Sequence, residues 1–185
     1  MSEPIRCQWC LKTENMREYH DTEWGIPVHD DRKHFEFIVL DSFQAGLSWQ
    51  TILNRREGFR NAFADFDPVK VAAFSEEETA ALMHDEGIIR NRLKIVGTVK
   101  NARAFLQIQK EFGSFDAYIW TFVNGKPIDG KRRNMGDIPA SSPESDAMSK
   151  ALKKRGFTFV GTTICYAYMQ AAGLINDHIS DCWKK

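Results

Sequence analysis

The chain has 185 residues, 43% of them hydrophobic and 27% charged, with a formal net charge of zero. That length and balance suit one domain, 1–185 with its core over about 7–182, and exclude a disordered or collagen-like chain. No apolar run reaches membrane-spanning length and the opening MSEPIRC lacks the apolar stretch of a signal peptide, so no membrane contact is expected. With the cysteines reading as thiols or metal ligands, a reducing cytoplasm is the expected compartment, and a monomer is expected.

Taken in chain order, the pattern is helical almost throughout, and an all-α fold is expected. Asp30 or Asp31 can cap a helix with Phe35, Ile38, Val39 and Phe43 on its apolar positions, interrupted at Gly46. Ser48 can cap the next helix, which buries Trp49, Ile52 and Leu53. Asp67-Pro68 reads as a cap followed by proline at the first helical position. Ser75-Glu-Glu-Glu78 fits a capping box that opens a helix running to about Glu86 and stopping at Gly87.

A long helix follows from near Arg90. Ser114 can cap a helix containing Tyr118, Ile119 and Trp120. Residues 124–143 are polar and rich in Gly, Pro and Asp, and read as a loop. Ser142-Pro143 opens a helix closed by Arg155-Gly156. A last apolar helix spans about Thr162 to Ala172 and stops at Gly173.

Charge is segregated along this order. Residues 87–110 carry Arg90, Arg92, Lys94, Lys100, Arg103 and Lys110 and no acid, whereas residues 14–41 are acid-rich. A neutral chain arranged in this way can still present a basic face to phosphate. The segment around Gly87-Ile-Ile-Arg90-Asn-Arg92-Leu-Lys94 reads as helix, tight turn, helix. Gly87 permits the turn, and a new helix N-terminus lies among cations suited to gripping a phosphate backbone without reading sequence.

Two further segments carry chemistry. Gln44-Ala-Gly46-Leu47-Ser-Trp49 places an amide, an apolar wedge and a large aromatic on a small loop. Leu47 can fill a gap in a base stack and Trp49 can stack on an extruded base, although the pair alone fits a hydrophobic core equally well. Cys7 and His20 near the start match His178 and Cys182 near the end, a ligand set suited to tetrahedral zinc. The HISDC spacing would align the last two on one helical turn. A site made of all four would have no open position for water and would be structural. Cys7-Gln-Trp-Cys10 leaves a competing C-x-x-C pair open, and Cys165 sits in an apolar run as a core thiol.

The runs YHDTEWG, QAGLSW, FDPVKVA, GIIRNRLKI and SKALKKRGFTFVGTTICY, in this order over about Cys7 to Cys182, closely resemble the bacterial DNA-3-methyladenine glycosylase I family. The resemblance implies a helix-hairpin-helix DNA glycosylase whose termini are tied by one zinc ion, held by Cys7, His20, His178 and Cys182 with Cys10 a bystander. It implies pocket aromatics at Trp49 and Tyr19, with Trp9 and Trp24 nearby. It implies contacts to double-stranded DNA carrying alkylated bases through Gln44, Gly46, Leu47, Gly87, Arg90, Arg92 and Lys94. The family usually has a glutamate where this chain has Asp41, expected as the catalytic carboxylate at the base edge, and a tyrosine where it has Met16. The expected reaction is monofunctional hydrolysis of the N-glycosidic bond of 3-methyladenine. The alternative is a zinc-stapled DNA-binding or damage-sensing protein with weak or altered excision.

Overall fold

The structure, a computed structural model, describes residues 3–185; the first two residues of the MSEPIRC opening lie outside the described residues. Ten α-helices account for most of it: α1 (Glu14–Thr22), α2 (Asp31–Gln44), α3 (Trp49–Leu53), α4 (Arg56–Ala62), α5 (Pro68–Ala72), α6 (Glu76–Ala81), α7 (Arg92–Phe112), α8 (Phe115–Ile119), α9 (Pro143–Lys154) and α10 (Thr162–Ala171). Their starts follow the capping residues. Asp30 accepts from the Lys33 amide at 2.8 Å, Ser48 from Thr51 at 3.1 Å and Asn91 from Lys94 at 3.2 Å, and Ser75 forms a reciprocal box with Glu78. Among the described residues no helix is long and apolar enough to cross a membrane.

The spine is α2. Ten consecutive residues, His34 to Phe43, are buried, because α2 packs against α10, α7, α3 and α8 at once. A helix enclosed on every side must satisfy its polar side chains internally. His34 lies 2.7 Å from the Tyr168 hydroxyl and 3.1 Å from Asp116. Glu36 accepts from Arg56 at 2.8 Å and from Lys33 at 3.0 Å. Asp41 is the exception. It is 2% exposed, and among the described residues neither oxygen accepts a hydrogen bond.

Three expectations are corrected. α6 ends at Ala81 and gives way to a 3₁₀ turn over Leu82–His84, short of the expected end at about Glu86, while the long helix α7 begins at Arg92, near the expected Arg90. Gly87 is not left-handed; its role is close approach, since a Cβ there would lie 3.2 Å from Gly58 Cα and one on Gly58 would run into the Gly87 carbonyl. Finally, His178 and Cys182 are not on a helical turn. They follow a short parallel pair, β1 (Ile128–Asp129) beside β2 (Ile175–Asn176), with Ile128 opposite Ile175. The backbone then turns at Ile179, whose carbonyl accepts from the Cys182 amide at 2.9 Å. The Trp183 amide donates to the Ile5 carbonyl at 3.0 Å, so the two ends of the described chain lie together.

Candidate functional site

The unpaired Asp41 opens onto a cavity of ≈ 420 Å³ whose walls come from five parts of the chain. The 3₁₀ turn Gln8–Lys12 supplies Trp9, and α1 with the turn after it supplies Met16, Tyr19 and Trp24. The end of α2 and the start of α3 supply Asp41, Gln44 and Trp49. Met135 and Ile138 come from the long polar segment before α9, and Ala167 and Gln170 from α10. The aromatics form a continuous wall. Trp24 meets Trp9 edge-on at 5.0 Å, Trp9 lies 6.2 Å from Tyr19, and Tyr19 lies 5.0 Å from Trp49.

Three buried polar atoms have no partner among the described residues, and all three belong to this cavity: Trp9 Nε1, Trp49 Nε1 and Asp41 Oδ2. Two donors and one acceptor without a protein partner match a polar, aromatic-sized ligand that can pair with them. Burial pushes the Asp41 carboxyl well above the usual carboxylate range, and pushes the Tyr19 phenol up as well. A cation entering the cavity opposes that shift, because it favours the ionised carboxylate.

The loop between α2 and α3 is set by α7. The Gly46 φ of +82° fits glycine, and Leu47 stands 41% exposed at the loop's tip. Lys94 is buried, and its Nζ donates to the carbonyls of Phe43 at 2.8 Å and Ala45 at 2.6 Å. The reading of Lys94 as a phosphate contact is therefore corrected. Its ammonium is committed to the last carbonyls of α2, where helix geometry leaves acceptors unsatisfied and the dipole favours a cation. Arg90 and Arg92 differ: both are exposed and neither forms an ion pair among the described residues.

Directly behind the aromatic wall lie Cys7, His20, His178 and Cys182, all buried, with one ligand atom from each within 4.8 Å of the others. This group could hold a metal ion. His20 Nδ1 lies 2.7 Å from Asp21, which leaves Nε2 directed at Cys182 Sγ at 3.4 Å. His178 Nε2 lies 3.1 Å from the Trp24 carbonyl, which leaves Nδ1 directed at Cys182 and Cys7. Each imidazole is thus oriented by an outer partner, as metal ligands usually are. Burial pushes the Cys7 thiol up to about 12 and His178 down to about 4. Cys10 stands outside it, its thiol donating to the Cys7 carbonyl at 3.0 Å.

The sequence reading missed Met135, Ile138, Ala167 and Gln170. Only Gln170 carried a signal, as a polar residue inside an otherwise apolar helix.

Comparison with known proteins agrees with this geometry. The model of the methyladenine glycosylase family matches residues 9–185. A DNA-3-methyladenine glycosylase 1 of Escherichia coli (strain K12) is 51% identical over 96% of this chain and 95% of its own length. A crystal structure of a 3-methyladenine DNA glycosylase I is similar with a TM-score of 0.94 at 50% identity, covering 97% of this chain and 98% of that one. A tyrosine-to-phenylalanine variant of such an enzyme, in complex with 3-methyladenine, superposes with a TM-score of 0.95 at 36% identity over 97% of each chain. The chain belongs to the methyladenine glycosylase family.

Proposed function

We infer that this protein is a base-excision repair DNA glycosylase that removes 3-methyladenine from alkylated DNA. The observation that carries the reading is Asp41, a buried carboxylate without a donor in the wall of an aromatic cage. Methylation at N3 makes the purine a cation and a good leaving group. An aromatic wall attracts a cation by about 1–2 kcal/mol per good contact, and a carboxylate accepts from the exocyclic amine through a charge-assisted bond. Extruding the damaged nucleotide costs a few kcal/mol. Leu47, exposed beside the cavity, fills the gap left in the stack. The C1′–N9 bond then breaks with its electron pair passing to the cationic purine, which leaves as neutral 3-methyladenine. Water adds to C1′ and gives up a proton, so the product is an abasic site on an intact strand.

Asp41 acts here as acceptor to the base edge, and Trp49 and Tyr19 enclose the ring with Trp9 and Trp24 behind them. The corner from α6 to α7 serves as the helix-hairpin-helix that grips one backbone, with Arg90 and Arg92 facing the phosphates. The close approach of Gly58 and Gly87 packs that corner directly against α4. Gln44 and Gly46 shape the loop that meets the duplex.

One zinc ion held by Cys7, His20, His178 and Cys182 belongs to the same reading. Tetrahedral bonds of ~2.3 Å to sulfur and ~2.0–2.1 Å to nitrogen would place S and N ligand atoms roughly 3.5 Å apart, close to the 3.4–3.8 Å separations of three of the sulfur–nitrogen pairs, with all four ligand atoms within 4.8 Å of one another. Bound there, it would supply cross-linking and no chemistry, since four protein ligands would leave no open position.

The test is direct. Duplex DNA treated with a methylating agent is incubated with the protein, and the released bases are separated by chromatography. The expected result is free 3-methyladenine, with strand breaks appearing only after alkali. Tight DNA binding with no base released would refute the reading.

A further inference from the structure

Gln170 and Tyr166 stand four residues apart on α10, so both side chains leave the same side of the helix. They converge on Asp177, which is 0% exposed. Gln170 Nε2 donates to Asp177 Oδ2 at 2.8 Å, and the Tyr166 hydroxyl donates to the same oxygen at 2.6 Å. Arg132 Nε donates to Oδ1 at 2.8 Å, and its Nη2 donates to the Tyr166 hydroxyl at 3.0 Å.

The order of donors fixes the glutamine. A carboxylate paired with a guanidinium only accepts, and a guanidinium only donates. The tyrosine hydroxyl, accepting from Arg132, must send its own proton to Asp177. Nothing in the cluster can donate to a carbonyl at the Gln170 position, so the carboxamide cannot turn over without setting Oε1 against Asp177 Oδ2. Its Oε1 therefore faces away from the cluster. Among the described residues it accepts no hydrogen bond, and it is not one of the buried unpartnered atoms. Gln170 also forms part of the cavity wall shared with Asp41 and Trp49. The free end of the amide is an accessible acceptor in the base pocket.

We propose that Gln170 is a specificity-determining residue, whose locked carbonyl oxygen gives the pocket a second acceptor and selects a base edge bearing N–H donors over one bearing a carbonyl. The proposal rests on the base-excision reading given above. Asp41 alone leaves a single carboxylate, on one side of the pocket, to meet the exocyclic amine. A second, uncharged acceptor that cannot invert to a donor penalises a 6-oxo purine, because two carbonyl oxygens would face each other with no proton between them. Asp177, Tyr166 and Arg132 act through Gln170 and are positioning residues.

The experiment measures release of 3-methyladenine and 3-methylguanine from the same methylated duplex by the wild type and by Gln170→Met. The methionine keeps the bulk and leaves Asp177 with Arg132 and Tyr166. Release of 3-methyladenine should fall and that of 3-methylguanine should change little, so that the ratio of the two rates drops about tenfold. Thermal unfolding is followed alongside. Should the methionine variant fail to fold, Gln170→Asn keeps the amide, shortens it by one methylene and reads the same ratio. An unchanged ratio in a folded variant, whether both rates hold or fall together, would overturn the proposal and leave Gln170 a structural residue. Release of neither base by the wild type would instead overturn the base-excision reading itself, and this proposal with it.

Discussion

Lys94→Met separates two roles that the sequence cannot distinguish for a lysine in a basic run. In the structure its ammonium neutralises the end of α2 and holds the Phe43 and Ala45 carbonyls at 2.8 and 2.6 Å. Methionine keeps the stem and deletes the donor. Each carbonyl left dry costs about 1–3 kcal/mol, partly offset because burial already disfavours the charged lysine. A net loss of roughly 2–4 kcal/mol is expected, equivalent to a fall of about 5–15 °C in Tm for a chain of this size. The assay pairs thermal unfolding with DNA affinity measured across a salt series. Affinity should fall modestly with the slope of log K against log salt unchanged, since no phosphate contact is lost. Arg90→Ala should instead leave Tm nearly unchanged and reduce the slope by about one. A Lys94→Met protein with the wild-type Tm and a slope reduced by one would refute the assignment and return Lys94 to the phosphate face.

Asp41→Asn should stabilise the free protein while slowing excision. Burial raises the Asp41 carboxyl above its unfolded value, so the folded state holds the proton more tightly and stability declines as pH rises from the ordinary carboxylate range through the raised value. The variant should lose that slope and gain on the order of 1 kcal/mol at pH 8; unchanged pH dependence of Tm would contradict this. Trp49→Ala should cost excision about 10–100-fold more than duplex affinity, in keeping with roughly 1–3 kcal/mol for stacking on a flipped base, and equal losses in a folded protein would assign Trp49 to the core. Metal analysis should find one zinc per chain, and Cys182→Ala should lower both Tm and excision, because Trp9, Tyr19 and Trp24 are carried by the segments that bring Cys7, His20 and the His178 acceptor together. A zinc-free wild-type protein of full stability would remove that link.

Local chemistry was the most legible part of the sequence. Asp30, Ser48, Asp67, Ser75, Ser114 and Ser142 each cap the helix expected of them, because a cap depends on a side chain and an amide two or three residues away. Properties set by distant partners were not legible. The i,i+4 spacing of His178 and Cys182 is equally compatible with a helix and with a turn, and pairing of β2 with β1 decided for the turn. Gly87 looked like a residue needed for its backbone angle, yet its place is set by close packing against Gly58, twenty-nine positions earlier, where any Cβ would run into the Gly87 carbonyl. Lys94 read as one more cation because its acceptors lie on another helix. Met135 and Ile138 were hidden in a polar loop that contributes to the pocket wall. Asp41 was placed in the pocket by resemblance; its isolation among the satisfied polar groups of α2 appears only once the helix is seen to be buried on every side.

The most direct test of the account is single-turnover release of 3-methyladenine from methylated duplex by the wild type, Asp41→Asn and Asp41→Glu under the same conditions. The wild type should release the base, the asparagine should be slower by at least tenfold while binding duplex normally, and the glutamate should match or exceed the wild type, as expected for a carboxylate acting on a cationic base. Equal rates for the wild type and Asp41→Asn would contradict it, because the one unsatisfied carboxylate in the cage would then have no part in the reaction.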